Sequence, residues 1–228
     1  IPTILIALWA SMRVSSFQRL PGPARIPAVV MHAMHAPRNG HTDASMGAAM
    51  SIESGTVLVA PEHEYDSVLK EAVIMLYEVD AVNLDRPVKG VILQRDTAFD
   101  VGEMVPRLIQ AFPSNTLMKG GDEGEGSVIM LHACSDVEGS RSLGSGLFVG
   151  GVASALELVT KGDLSAEQFH FFFNHVSMPR KRLSSMIDGG WRVMSYPAEE
   201  APGLYFETNG DLWRKIVKGL KADDEDGE

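Results

Sequence analysis

The chain has 228 residues, 45% hydrophobic and 22% charged, with a formal net charge of −10. Residues 1–50 carry Arg13, Arg19, Arg25 and Arg38 against Asp43 (+3), and the remaining 178 residues carry 16 basic and 29 acidic side chains (−13). An acidic body repels phosphate backbones, which argues against general nucleic-acid binding and against a transcription regulator. The single cysteine, Cys134, excludes an internal disulfide and a Cys-based zinc site. The longest apolar run, Ile4 to Ala10, is too short to span a bilayer.

In chain order, residues 1–52 read as an extended N-terminal tail. Prolines at 2, 21, 23, 27 and 37 break any long helix. The tail is basic, nearly acid-free and rich in Ser, Ala, Met and Pro, like the end of an organelle transit peptide or the segment after one. An organelle location is expected, a plastid or a mitochondrion. Such a tail has little core-forming pattern and cannot offset its own ordering entropy. A partner surface would supply the difference, so residues 1–50 are expected to dock onto a larger complex.

The globular body is expected over residues 53–220, followed by an acidic tail over 221–228. Short apolar runs predict strands at 55–60 (GTVLVA), 72–79 (AVIMLYEV) and 88–95 (VKGVILQR), the last two joined by the turn-rich DAVNLDRP. Residues 101–112 have apolar groups at helical spacing, with Pro106 tolerable only in a first turn. Strands follow at 127–133 and 145–151, then a helix at 152–162 closed by Gly162. Residues 167–176 (EQFHFFFNHV) predict an aromatic strand, 179–190 a short helix, 191–197 a strand, and 211–220 a terminal amphipathic helix. Strands outnumber helices and do not alternate with them, which predicts an α+β fold.

The stretch from Leu117 to Asp136, LMKGGDEGEGSVIMLHACSD, suggests a phosphate loop at first sight. A P-loop places lysine after its glycines and before a helix. Here Lys119 precedes them, a strand-like run follows, and Asp122, Glu123 and Glu125 would repel phosphate. GSGLFVGG (144–151) is likewise a poor dinucleotide fingerprint.

The order of pieces is more telling: GTVLVA, GVILQR, a helix, KGGDEGEGSVIMLH, GLFVGG, a helix, an aromatic strand, GGW, and LW in a terminal helix. Over residues 55–217 this resembles the YqgE/AlgH family. The resemblance implies a compact domain with a strongly bent, mainly antiparallel sheet flanked by helices, and no established activity. Leu131, His132, Trp191 and Trp213 match the family pattern. Its Asn-Arg/Lys-Pro appears as Gln94-Arg95-Asp96, its Gly-Gly-Pro as Gly120-Gly121-Asp122, and its Gly-Tyr-x-Gly-Trp as Asn174 to Met178. Core positions match while polar loop motifs differ, which suggests a retained fold with an eroded site.

The remaining constellations are weaker. His132 and Cys134 could form a nucleophile pair but also suit a strand-end histidine beside a buried thiol. PEHEYD (61–66) and MHAMHAPRNGH (31–41) hold metal-ligand types at spacings that fit no standard site, although the latter could offer copper soft ligands. Arg180, Lys181 and Arg182 open a helix, where the dipole disfavours cations. They are a candidate docking patch for an acidic surface, the C-terminal DDEDGE, an anionic partner or a lipid headgroup. No catalytic residues, metal or cofactor are assigned. The expected function is a non-enzymatic accessory or scaffold subunit, and the plastid occurrence of the family makes a photosystem or light-harvesting complex the expected host. The alternative is a ligand-binding or hydrolytic protein with a pocket at Arg95, Gly120, Gly121 and His132.

Overall fold

The computed structural model describes residues 52–198, 200–206 and 212–225, the last six by backbone alone. Residues 1–51 of the expected tail, which include the 31–41 histidine cluster, and residues 226–228 lie outside the described residues, while Ile52 packs against the body.

The elements in chain order are β1 (Val57–Val59), β2 (Val73–Glu78), β3 (Val88–Ile92), β4 (Asp96–Asp100), α1 (Val101–Met104), β5 (Thr116–Lys119), β6 (Glu123–His132), β7 (Ser140–Ser142) and β8 (Phe148–Gly150). Then follow α2 (Val152–Lys161), β9 (Phe169–Met178), α3 (Arg180–Asp188), β10 (Arg192–Met194), α4 (Ala201–Phe206) and α5 (Leu212–Glu225). The main path of the sheet runs β10-β1-β2-β3-β9-β6-β8-β7. All its pairs are antiparallel, and β5 adds a parallel pairing to β9 and carries β4 on its other edge.

Strand β9 joins the two halves of the sheet. Its first part, through Phe173, lies between β5 and β6, while Val176 to Met178 pair with β3. Phe171 and Phe172 point to opposite faces, as the two-residue period requires. Past Asn174, which sits at φ 60°, the parity changes: Val176 and Met178 join the apolar cluster on the far side of β2 from the one that holds Phe172. The sheet bends at this point.

Three apolar clusters follow from the bend. Inside it, Val57, Met75, Val91, Leu131 and Phe172 meet Tyr205 of α4 and Leu212 and Ile216 of α5. On the outer face of the β1–β3 half, Leu58, Ile74 and Ile92 pack on Leu183 of α3 and on Trp191. On the outer face of the other half, Phe169, Phe171 and Met130 pack on Val101, Leu108, Phe112 and Ala155. Because β1 and β2 are covered on both faces, they read as unbroken apolar runs rather than alternating ones. Each fully buried aromatic contributes on the order of 3 kcal/mol of apolar burial.

Most expected elements are present, with several corrections. The 101–112 helix is interrupted. Pro106 has no N–H, and Val105 before it is held at φ −127° and ψ 81°, so α1 stops and a separate 3-10 turn runs Pro106–Leu108. The apolar spacing still marks the buried side, since Val101, Val105, Leu108 and Phe112 are all buried. Helix α5 continues through Lys221 to Glu225, so the backbone past residue 220 is helical. Its Trp213 indole donates to the Ala60 carbonyl at 2.8 Å. Gly162 closes α2 at φ 83°, as expected.

Candidate functional site

The glycines of the 117–136 stretch are explained by the crossing of strands. A Cβ on Gly120 would lie 2.5 Å from the Asn174 carbonyl oxygen, and one on Gly121 would lie 2.1 Å from the His175 carbonyl carbon. Both glycines are where β5 passes flush against the backbone of β9. Four residues farther on, β6 bulges: residues 124–127 face only Asn174 between the pairs Glu123–His175 and Val128–Phe173. Gly124, Glu125 and Gly126 carry positive φ there, and the Gly126 N–H donates to Asn174 Oδ1 at 2.9 Å. Lys119 is paired with Asp122 at 2.6 Å.

The segments that depart from the family pattern meet at this crossing. The Ile92 N–H donates to the Gly120 carbonyl at 2.8 Å, the Lys119 N–H to the Arg95 carbonyl at 2.7 Å, and the Gly120 N–H to the Phe173 carbonyl at 2.8 Å. Arg95, Gly120 and Gly121 are therefore neighbours. The Arg95 guanidinium donates to the Lys70 carbonyl and ties the start of β4 to the 66–72 loop.

His132 is elsewhere. It pairs with Phe169, while Lys119, next to Gly120, pairs with Phe173, roughly 13 Å along β9 at the usual rise per residue. Its ring is fully buried and stacked on Phe148, with centroids 5.7 Å apart. Nε2 is 3.2 Å from the Gly150 carbonyl, and Nδ1 accepts the Cys134 N–H at 3.3 Å. Burial keeps the imidazole below its ordinary pKa. The ring has a full set of partners inside the sheet, so the four-residue pocket anticipated from the sequence is not assembled.

Cys134 is half-buried, and burial, with Asp136 second, pushes its thiol above the usual range. That is the reverse of the activation a Cys–His nucleophile needs. Alkylation by iodoacetamide at pH 7 is expected to run at least several-fold slower than for a free cysteine; an equal or faster rate would contradict this placement.

In PEHEYD, Glu64 is a structural acceptor, taking the Trp191 indole N–H at 2.8 Å and the Asp66 N–H at 2.9 Å. The basic trio divides. The half-buried Arg180 donates to the Asp80 carbonyl at 2.5 Å, whereas Lys181 and Arg182 are exposed, with Arg182 4.0 Å from Asp66. The 61–68 and 80–87 loops thus converge on the first turn of α3. Asp80 Oδ1 accepts the N–H groups of Val82 and Asn83 at 3.0 and 2.8 Å, which lowers the pKa of its carboxyl. Asp66 Oδ1 accepts the Val68 N–H at 2.9 Å. On these internally bonded loops Tyr65, Val82 and Leu84 are 92%, 94% and 62% exposed.

A cleft of about 540 Å³ opens between the β4–β5 hairpin, the start of β9 and α4. Asp96, Asn115, Glu167, His170, Tyr205 and Phe206 line it. Asn115 Nδ2 donates to the Ala166 and Phe169 carbonyls at 2.8 and 2.9 Å, fixing that wall. His170 and Phe206 stack with centroids 3.7 Å apart and planes 9° apart. Burial pushes the His170 pKa down to about 4. Tyr205 is 1% exposed, and its hydroxyl has no hydrogen-bond partner among the described residues. Sequence reasoning did not find this cleft; its one legible signal was a histidine on the apolar face of the FHFFF strand.

Comparison with known proteins fits the architecture. The AlgH-like family model (DUF179) matches residues 57–224. The crystal structure of protein DIP2367 from Corynebacterium diphtheriae aligns with a TM-score of 0.58 at 19% identity, over 73% of this chain and 86% of that one. The solution structure of the AlgH protein from Pseudomonas aeruginosa aligns with a TM-score of 0.53 at 16% identity, over 73% and 87%. Comparison with curated proteins gives no match. At such identities the two structures attest the bent-sheet fold alone, while the match over 57–224 establishes the family: the chain belongs to the AlgH-like family.

Proposed function

We propose that the chain is a non-enzymatic accessory or scaffold subunit that docks onto a larger protein assembly. The observation that carries this reading is the face around the first turn of α3. Tyr65 and Val82 stand almost bare to water there and Leu84 is mostly exposed, on loops with internal hydrogen bonds to Asp66 and Asp80. Large apolar groups held rigid before binding lose little conformational entropy when covered. Exposed Lys181 and Arg182 on the same turn add a basic border for an acidic partner surface. Residues 1–50, with their +3 charge, would extend the contact. Their transit-like composition supports an organelle host, and the plastid occurrence of the family favours a plastid one, with a photosystem or light-harvesting complex as the candidate and a mitochondrion as the alternative.

The test replaces Val82 and Leu84 by serine in the full chain and, separately, removes residues 1–50. Both side chains are mostly exposed, so the double variant is expected to fold with a stability change of less than about 1 kcal/mol. In the native source the unaltered chain should migrate in a particle much larger than its own 24.7 kDa. The serine variant and the truncated chain should each shift towards the free chain. Migration of the unaltered protein as a free chain would sink the proposal.

A further inference from the structure

We propose that the cleft between the β4–β5 hairpin, the start of β9 and α4 binds a small, flat organic cation. Its volume of about 540 Å³ lies within the range of small-molecule sites. Two of its walls carry exposed carboxylates, Asp96 from the start of β4 and Glu167 from the turn before β9. Among the described residues no lysine or arginine lines it, and His170 is held neutral by burial, so this lining has net negative charge. That charge selects against phosphates and carboxylates and favours a cation.

The second observation is independent of the acids. Tyr205 is among the residues that line this cleft, and its buried hydroxyl has no hydrogen-bond partner among the described residues. A buried hydroxyl without a hydrogen bond is costly, and a ligand N–H can supply the missing bond. The stacked His170–Phe206 pair adds an apolar platform over which a planar cation gains dispersion and ring-quadrupole attraction. Together these walls suit an amidinium or a protonated aromatic amine: a flat apolar body, N–H donors and a positive charge. This proposal is independent of the docking face on α3.

Benzamidine, benzamide and benzoate share a shape and differ in charge. Titrated into the full chain and followed by calorimetry and saturation-transfer NMR, benzamidine is expected to bind at least tenfold more tightly than benzamide, and benzoate not detectably. Asp96→Asn and Glu167→Gln, both at exposed positions, should each weaken benzamidine five- to tenfold without altering the melting temperature. Tyr205→Phe should weaken it and raise the melting temperature of the free protein, because it removes the unpartnered hydroxyl. Absence of benzamidine binding, benzoate binding as tightly as benzamidine, or affinity indifferent to the two carboxylate variants would each overturn the proposal.

Discussion

Replacing Gly121 by alanine is expected to leave the chain unable to hold its fold. The new Cβ would fall 2.1, 2.2 and 2.5 Å from the carbonyl carbon and oxygen of His175 and the nitrogen of Val176. These are backbone atoms of the strand that carries both halves of the sheet, so no side chain can rotate away. Either β5 and β6 separate from β9 or β9 moves, and both disrupt ladders on each side of it. We expect a loss of more than about 4 kcal/mol, a large share of the roughly 5–15 kcal/mol by which a domain is stable. Gly219→Ala is the control. That glycine lies within α5 with nothing within 4 Å of a would-be Cβ, and the change should stabilise by about 0.5–1 kcal/mol. Urea unfolding of the two variants beside the parent measures both effects. A Gly121→Ala protein as stable as the parent would show that β5 and β9 do not meet as described.

Acid is expected to destabilise the protein through His170 well above the carboxylate range. Its folded pKa is depressed to about 4, against about 6.5 in an unfolded chain. Between those values the unfolded state binds the extra proton, so stability falls as pH drops from 6.5 to 4 and levels off below. The full loss from this one group is on the order of 3 kcal/mol. His132 and His175, also held below their ordinary values chiefly by burial, act in the same direction. His170→Phe keeps a ring for the stack on Phe206 and removes the titrating group. Its unfolding free energy should vary less steeply between pH 7 and 4, by the contribution of about one proton. Identical slopes in parent and variant would mean that His170 takes up its proton as readily in the fold as in the unfolded chain.

Legibility in the sequence followed burial. Strands β1, β2 and β3 and the body of β9 are covered on both faces, so their apolar runs announced them. Strand β4, with the sequence Asp-Thr-Ala-Phe-Asp, is largely exposed, and β7, with Ser-Arg-Ser, is an edge strand without an apolar residue. Neither carries a period to read, since their pairing is specified by partners distant in sequence. Helix α4 begins Ala-Pro-Gly, and the breakers hid it, although Pro202 lies in a first turn where proline is tolerated. The glycines at 120 and 121 were legible as special but not as a strand crossing, because their reason is the backbone of residues 174–176. Arg95, Gly120 and Gly121 are neighbours at the crossing, whereas His132, grouped with them because all four lie on or beside strand ends, sits at the far end of the pairing with β9. The cleft was illegible for the same reason: Asp96, Asn115, His170 and Tyr205 come from four separate segments that only the bent sheet brings together.

The docking face is tested most directly by footprinting the assembled chain. Hydroxyl-radical labelling of the free protein should mark Tyr65, Val82 and Leu84 strongly, as their exposure requires. In the native particle these residues should be strongly protected, and Lys181 should be protected from amine acylation. Phe99 and Ile109, which are 44% and 52% exposed on other segments, should remain labelled. Equal labelling of Tyr65, Val82 and Leu84 in the free and assembled states would rule out this docking face.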